Sequence, residues 1–189
     1  MSTALLILLV AANPIAVAAE LRGRVDRRVL AAGLAATALL AVVLAAASEA
    51  LLDVLSVTAP TFRVAAGAVL LTVAAKWVAL GPRRLPPEDA LLSRDDADDG
   101  DPGPWSGLVV PLLIPVLVSP QLVMASIALG ADEGVGAVAV GAVVALGLSG
   151  VATLLHRGRP ALWSIGVRFT GLPTAALALG MIVDGVKTV

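Results

Sequence analysis

The chain has 189 residues, of which 59% are hydrophobic and only 14% charged, with a formal net charge of −1 and a mean hydropathy of +0.98. A water-soluble domain carries nearer a quarter charged residues, and a chain this short cannot hide so much apolar surface, so lipid is part of its solvent. Near-neutral charge leaves no basic field to gather nucleic acid. Without cysteine there are no disulfides and no thiolate chemistry, and the single histidine, His156, cannot build a histidine metal centre.

A bilayer-spanning helix needs about 20 mostly apolar residues. The first candidate covers 4–19 and is the shortest, ~24 Å at 1.5 Å per residue. It ends in Ala16-Val17-Ala18-Ala19, yet no Lys or Arg precedes it and Pro14 interrupts it. It therefore reads as a retained first helix rather than a signal peptide. Further spans are expected at 29–48 and 61–80. Lys76 lies four residues from the end of the third span, where its stem can snorkel to the interface. Arg63 opens the same span, near Asp53 by topology, where a surface ion pair is expected.

Residues 81–106 hold Pro82, Pro86, Pro87, Pro102 and Pro104 and an acidic run from Asp95 to Asp101. A calcium loop starting at Asp95 would place Ala97 at its third position and Ser106 at its twelfth, so the carboxylate ladder fails. The segment reads as a solvated linker. Spans at 107–129, 134–155 and 161–183 follow. In the fifth, Gly134, Ala137, Gly141, Ala145 and Gly150 suit close helix packing, and such small-residue faces leave room for a homo-oligomer. Arg168 is expected near the start of the sixth span, as an interfacial anchor, and Asp184 at its end.

Lys and Arg in short loops set orientation. Arg22, Arg24, Arg27, Arg28, Arg83, Arg84, Arg94, Arg157 and Arg159 fall in the connections after spans one, three and five, and only Arg63 and Lys187 on the other side. Nine against two places both termini outside and the linker in the cytoplasm.

The two halves resemble each other. Asn13-Pro14 and Ser119-Pro120 each set a small polar residue before proline in an apolar run, at an offset of 120 − 14 = 106. Phe62-Arg63 and Arg168-Phe169 open the third and sixth spans, with arginines offset by 168 − 63 = 105, followed by Gly67 and Gly171 and closed by Gly81 and Gly185. Three spans per half is an odd number, so the halves are inverted, an arrangement found in secondary transporters.

Proline removes an amide and crowds the carbonyl four residues earlier, which frees Val10 and Val116. Asn13 lies ~14 Å and Ser119 ~18 Å into their spans, near the middle of a ~30 Å hydrocarbon layer. Two breaks facing each other there would offer helix N-termini to an anionic group such as an amino-acid carboxylate. A simple kink is the alternative for each proline. Arg63, Gly67, Arg168 and Gly171 are the structural or gating candidates. No carboxylate lies at mid-depth, so a coupling ion would have to use backbone carbonyls. No paired carboxylates or nucleophile–base arrangement supports catalysis, and nothing calls for a cofactor or metal.

Ser56-Val57-Thr58-Ala59-Pro60-Thr61-Phe62-Arg63-Val64-Ala65-Ala66-Gly67 is similar to the segment entering the third helix of MarC family integral membrane proteins. Pro111-Leu112-Leu113-Ile114-Pro115 resembles that family's fourth helix, Asn13-Pro14 its first, and Gly171 with Asp184-Gly185 its last. The family usually has Gly-Pro-Gly where this chain has Ser119-Pro120-Gln121, and a glycine pair where it has Ala66-Gly67. The resemblance implies a bacterial or archaeal inner-membrane protein, some relatives of which export small neutral amino acids.

The expected fold is all-α, with six transmembrane helices in two inverted three-helix repeats, 1–80 and 107–189, joined by the linker 81–106. The expected function is export of alanine-, serine- or glycine-like amino acids, with Asn13, Pro14, Ser119, Pro120 and Gln121 at the substrate. The rival readings are a non-transporting scaffold or partner subunit and, with less support, an ion or metal permease.

Overall fold

The computed structural model describes residues 2–21, 27–81, 118–155 and 160–188. The Pro-rich linker beyond Gly81, the stretch 111–115 and seven of the loop arginines lie outside the described residues. Every described element is a helix: α1 Ser2–Ala12, α2 Pro14–Leu21, α3 Arg27–Ala46, α4 Ser48–Leu55, α5 Ala59–Leu80, α6 Pro120–Glu133, α7 Val135–Leu155 and α8 Pro160–Thr188.

The first span is two helices, split where the sequence places Pro14. Asn13 takes φ +38°, a conformation that Asn tolerates better than most side chains. Pro14 then opens α2, where its missing amide is not needed. The second span also divides. A turn at Ala47 separates α3 from α4, and the Ser48 hydroxyl donates to the Ala45 carbonyl at 2.8 Å. Left-handed Ser56 ends α4, with the Ser56 and Val57 amides returning to Asp53 and Leu52 carbonyls, a Schellman-type closure.

The third span, α5, starts at Ala59, two residues earlier than expected, because Pro60 suits a first helical turn. The fourth is described only from Val118, and α6 begins at Pro120. The fifth matches α7 to within a residue. The sixth runs on to Thr188, so Asp184 sits inside α8 rather than at its end, and Arg168 lies in the third turn rather than at the start.

α3, α5, α7 and the part of α8 from Ile165 are long and apolar enough to cross a membrane, and Thr3–Ala19 is a shorter apolar segment. Lipid-type surface is concentrated on these long helices: Leu39, Val43, Val78, Val143, Val151, Phe169 and Leu179 are all exposed. Helices α1 and α6 are central instead. α1 contributes Ala4, Ile7, Leu8 and Ala11 to the core, and α6 contributes Leu122, Ala125, Ala128 and Leu129. The shorter apolar segment of α1 and α2 packs on α6, α7 and α8.

The most extensive pairing is α5 against α8. A Cβ built on Gly67 would lie 2.7 Å from Ile182 Cγ1 and 2.8 Å from the Ala178 carbonyl oxygen. One built on Gly171 would lie 2.6 Å from Val78 Cγ2 and 3.1 Å from the Ala74 carbonyl oxygen. Higher numbers on α5 meet lower numbers on α8, so the two helices run antiparallel. The two contacts are one contact with the partners exchanged, since 171 − 67, 178 − 74 and 182 − 78 all equal 104. Absence of a side chain at both positions lets the backbones approach closely.

Candidate functional site

Asn13 is 2% exposed. Its Oδ1 accepts the Ala16 amide at 3.1 Å, which makes Asn13 the N-cap of α2. That bond fixes the orientation of the amide group, and Nδ2 then donates to Thr170 Oγ1 on α8 at 3.1 Å. The Thr170 hydroxyl donates to the Val167 carbonyl at 2.8 Å, and the Thr174 hydroxyl to the Thr170 carbonyl at 2.6 Å. The first break is thus tied to the last helix by a closed polar chain.

Ser119 and Gln121 flank the exposed Pro120 at the start of α6 and are 7% and 8% exposed. Ser119 occupies the N-cap position but makes no side-chain cap bond. Nine polar side chains are buried among the described residues. Five of them (Thr37, Ser126, Ser149, Thr153 and Thr174) donate to carbonyls of their own helices, Ser48 donates to Ala45 at the end of α3, and Asn13 has the partners above. The side chains of Ser119 and Gln121 hydrogen-bond to no described residue. A buried, unmade hydrogen bond is unfavourable by about 1–3 kcal/mol, and these two side chains are the ones left open among the buried polar groups described.

The arginines separate. Arg63 Nε donates to Asp132 Oδ2 at 2.7 Å, and its Nη2 pairs with the same carboxylate. The expected neighbour, Asp53, is displaced because α6 packs on α5 and brings its last turn beside the first turns of α5. Arg168 is exposed and has no ion-pair partner among the described residues. Gly67 and Gly171 are both buried at the α5–α8 crossing.

The structure therefore joins Asn13 to Thr170, leaves Ser119 and Gln121 open, and puts Arg63 and the two glycines on other surfaces. Thr170 and Thr174 were not singled out from the sequence. Their only signal is a pair of hydroxyls four apart, on one face of an apolar helix. No cluster of three or more His, Cys, Asp or Glu suited to a metal occurs among the described residues.

Long apolar helices around a polar, interrupted centre define a multi-pass integral membrane protein. The model of the family described as MarC family integral membrane protein matches residues 3–189, the whole chain but two residues, and the chain belongs to that family. No curated protein and no solved structure matches it.

Proposed function

We propose that the protein is a secondary transporter of the bacterial cytoplasmic membrane that exports small neutral amino acids by alternating access. The observation that carries this reading is the buried, unpartnered pair Ser119 and Gln121 beside Pro120, at an uncapped helix start. A helix N-terminus favours a carboxylate, while the Gln121 amide and the Ser119 hydroxyl can serve both the carboxylate and a substrate hydroxyl. A small substrate side chain, as in alanine, serine or glycine, is the expected cargo. A coupling ion, if one is used, would be held by carbonyls at the breaks.

The reciprocal Gly67 and Gly171 contacts, related by an offset of 104, support two inverted repeats meeting at α5 and α8. In this reading the termini face outward. Gly67 and Gly171 are the pivot, Arg63 acts as a gate, Arg168 anchors α8 at the interface, and Asn13 joins the substrate when its bond to Thr170 opens.

Full-length protein in liposomes should exchange labelled alanine. Asn13→Ala combined with Ser119→Ala should abolish that exchange; unchanged flux would remove these residues from the site. One observation favours the scaffold reading: both ends of the Asn13 amide group already have protein partners, Ala16 and Thr170, within apolar packing. Absence of flux for every small neutral amino acid would decide for it.

A further inference from the structure

A cavity of about 320 Å³ opens between α1, α5, α6 and α8 at the end of the bundle where the chain begins and ends. Its charged lining is Arg63, Asp132, Glu133 and Asp184. Its apolar lining includes Ile7, Leu129 and Met181, each about 95% buried. Ile7 lies six residues before Asn13, ~9 Å along the helix. The cavity is thus a vestibule that stops short of the break, with apolar side chains between.

Resting on the transporter reading, we propose that this vestibule is a second substrate subsite, which holds the amino acid as a zwitterion between the central site and the termini side. The Arg63–Asp132 pair crosses from α5 to α6 within the cavity wall. It presents the two charges that a zwitterion needs, already paired with each other. An entering amino acid exchanges partners with it: its carboxylate takes the guanidinium, and its ammonium takes Asp132. Each charge keeps an opposite charge beside it throughout, so no isolated ion is left in a partly covered site. A volume of this size admits an amino acid of a few heavy atoms together with some of its water.

The chain has no cysteine, so one introduced thiol reports alone. Gly180 lines the cavity, and a Cβ there meets nothing within 4 Å. Gly136 is equally open and is not among the cavity's lining residues. In full-length protein, L-alanine should slow thiol labelling of Gly180→Cys in a saturable way and leave Gly136→Cys unaffected. Propionate or ethylamine at the same concentration should protect poorly. Arg63→Gln or Asp132→Asn should each weaken alanine protection about tenfold, as one lost charge-assisted contact would. Ser119→Ala with Gln121→Ala should abolish flux yet leave protection intact, which separates this subsite from the central one. Thr3→Cys, on the α1 wall, replaces the reporter if Gly180→Cys does not fold. Absence of alanine protection in a protein that transports overturns the subsite, as does equal protection by ethylamine. Loss of flux and protection together for every amino acid overturns the transporter reading with it.

Discussion

Asn13 and Thr170 are 157 positions apart in the chain and are joined by a 3.1 Å hydrogen bond between their side chains. The bond links the interruption of the first span to the middle of the last helix. It also accounts for the second half of the Asn13 amide, whose oxygen already caps α2. Thr170→Val is isosteric and removes the acceptor, leaving a buried Nδ2 without a partner. Stability in detergent micelles should fall by about 1–3 kcal/mol, and Thr170→Ser should restore most of it. Hydrogen exchange should quicken at the α2 amides in the valine variant alone. Equal thermal midpoints and equal exchange in both variants would show that the bond is unimportant.

Asn13 performs three tasks that substitution can separate. Asn13→Gly keeps the positive φ and loses the cap and the Thr170 bond. Asn13→Asp keeps the cap and loses the donor. Asn13→Ala loses the side-chain bonds and also strains a φ of +38°, a further ~1–2 kcal/mol for a residue with a Cβ. Thermal unfolding should therefore rank alanine as the most damaging of the three. A glycine variant less stable than alanine would mean that backbone strain is not the issue.

The glycines form an internally controlled series. A Cβ at Gly130 would lie 2.5 Å from Ala45 Cα and 2.7 Å from the Ala45 carbonyl oxygen, whereas Gly147 has nothing within 4 Å. Gly130→Ala should destabilise by about 1–3 kcal/mol as overpacking. Gly147→Ala should be neutral or stabilising, since alanine is the better helix former by ~1 kcal/mol. Because their contacts are reciprocal, Gly67→Ala and Gly171→Ala should shift the melting temperature by similar amounts. A large difference between them would show that the two halves of the α5–α8 crossing are not mechanically equivalent.

What the sequence revealed and what it concealed have separate physical causes. Pro14 and Pro120 act on the backbone directly, so the interruption at Asn13 and the helix start at Pro120 could be read from local chemistry alone. Apolar runs likewise located α5 and α7 to within two residues. The partner of Arg63 could not be read that way. Asp53 is nearer in sequence, but side-by-side packing of α5 and α6 decides that Asp132 is reached. Thr170 was hidden for the same reason, since a threonine in an apolar helix commonly bonds to its own backbone, as Thr37 and Thr153 do here. The arginines and prolines of the two halves are offset by 105 and 106. Gly67 and Gly171 are already 104 apart in the sequence; what the sequence could not give is that each lies against the other's helix, on Ala178 and Ile182 or on Ala74 and Val78.

Gln121 separates stability from function most cleanly. Its side chain is 8% exposed and bonds to no described residue, while the same helix buries Leu122 and Ala125 against the core. A residue kept only for packing would be better as leucine or methionine, which fill similar volume with no polar group to desolvate. Gln121→Leu should therefore raise the unfolding free energy by about 1–2 kcal/mol, the desolvation of one amide removed. If Gln121 receives substrate, the same change should abolish alanine flux, because the new side chain cannot replace the bonds that bound substrate makes. Gln121→Glu keeps a polar acceptor but places a negative charge beside a substrate carboxylate, so flux should fall again, this time without the gain in stability. Melting curves and liposome flux on the three proteins form the measurement. A leucine variant that is stabilised and still transports would reassign Gln121 to packing and leave Ser119 as the polar contact at this break.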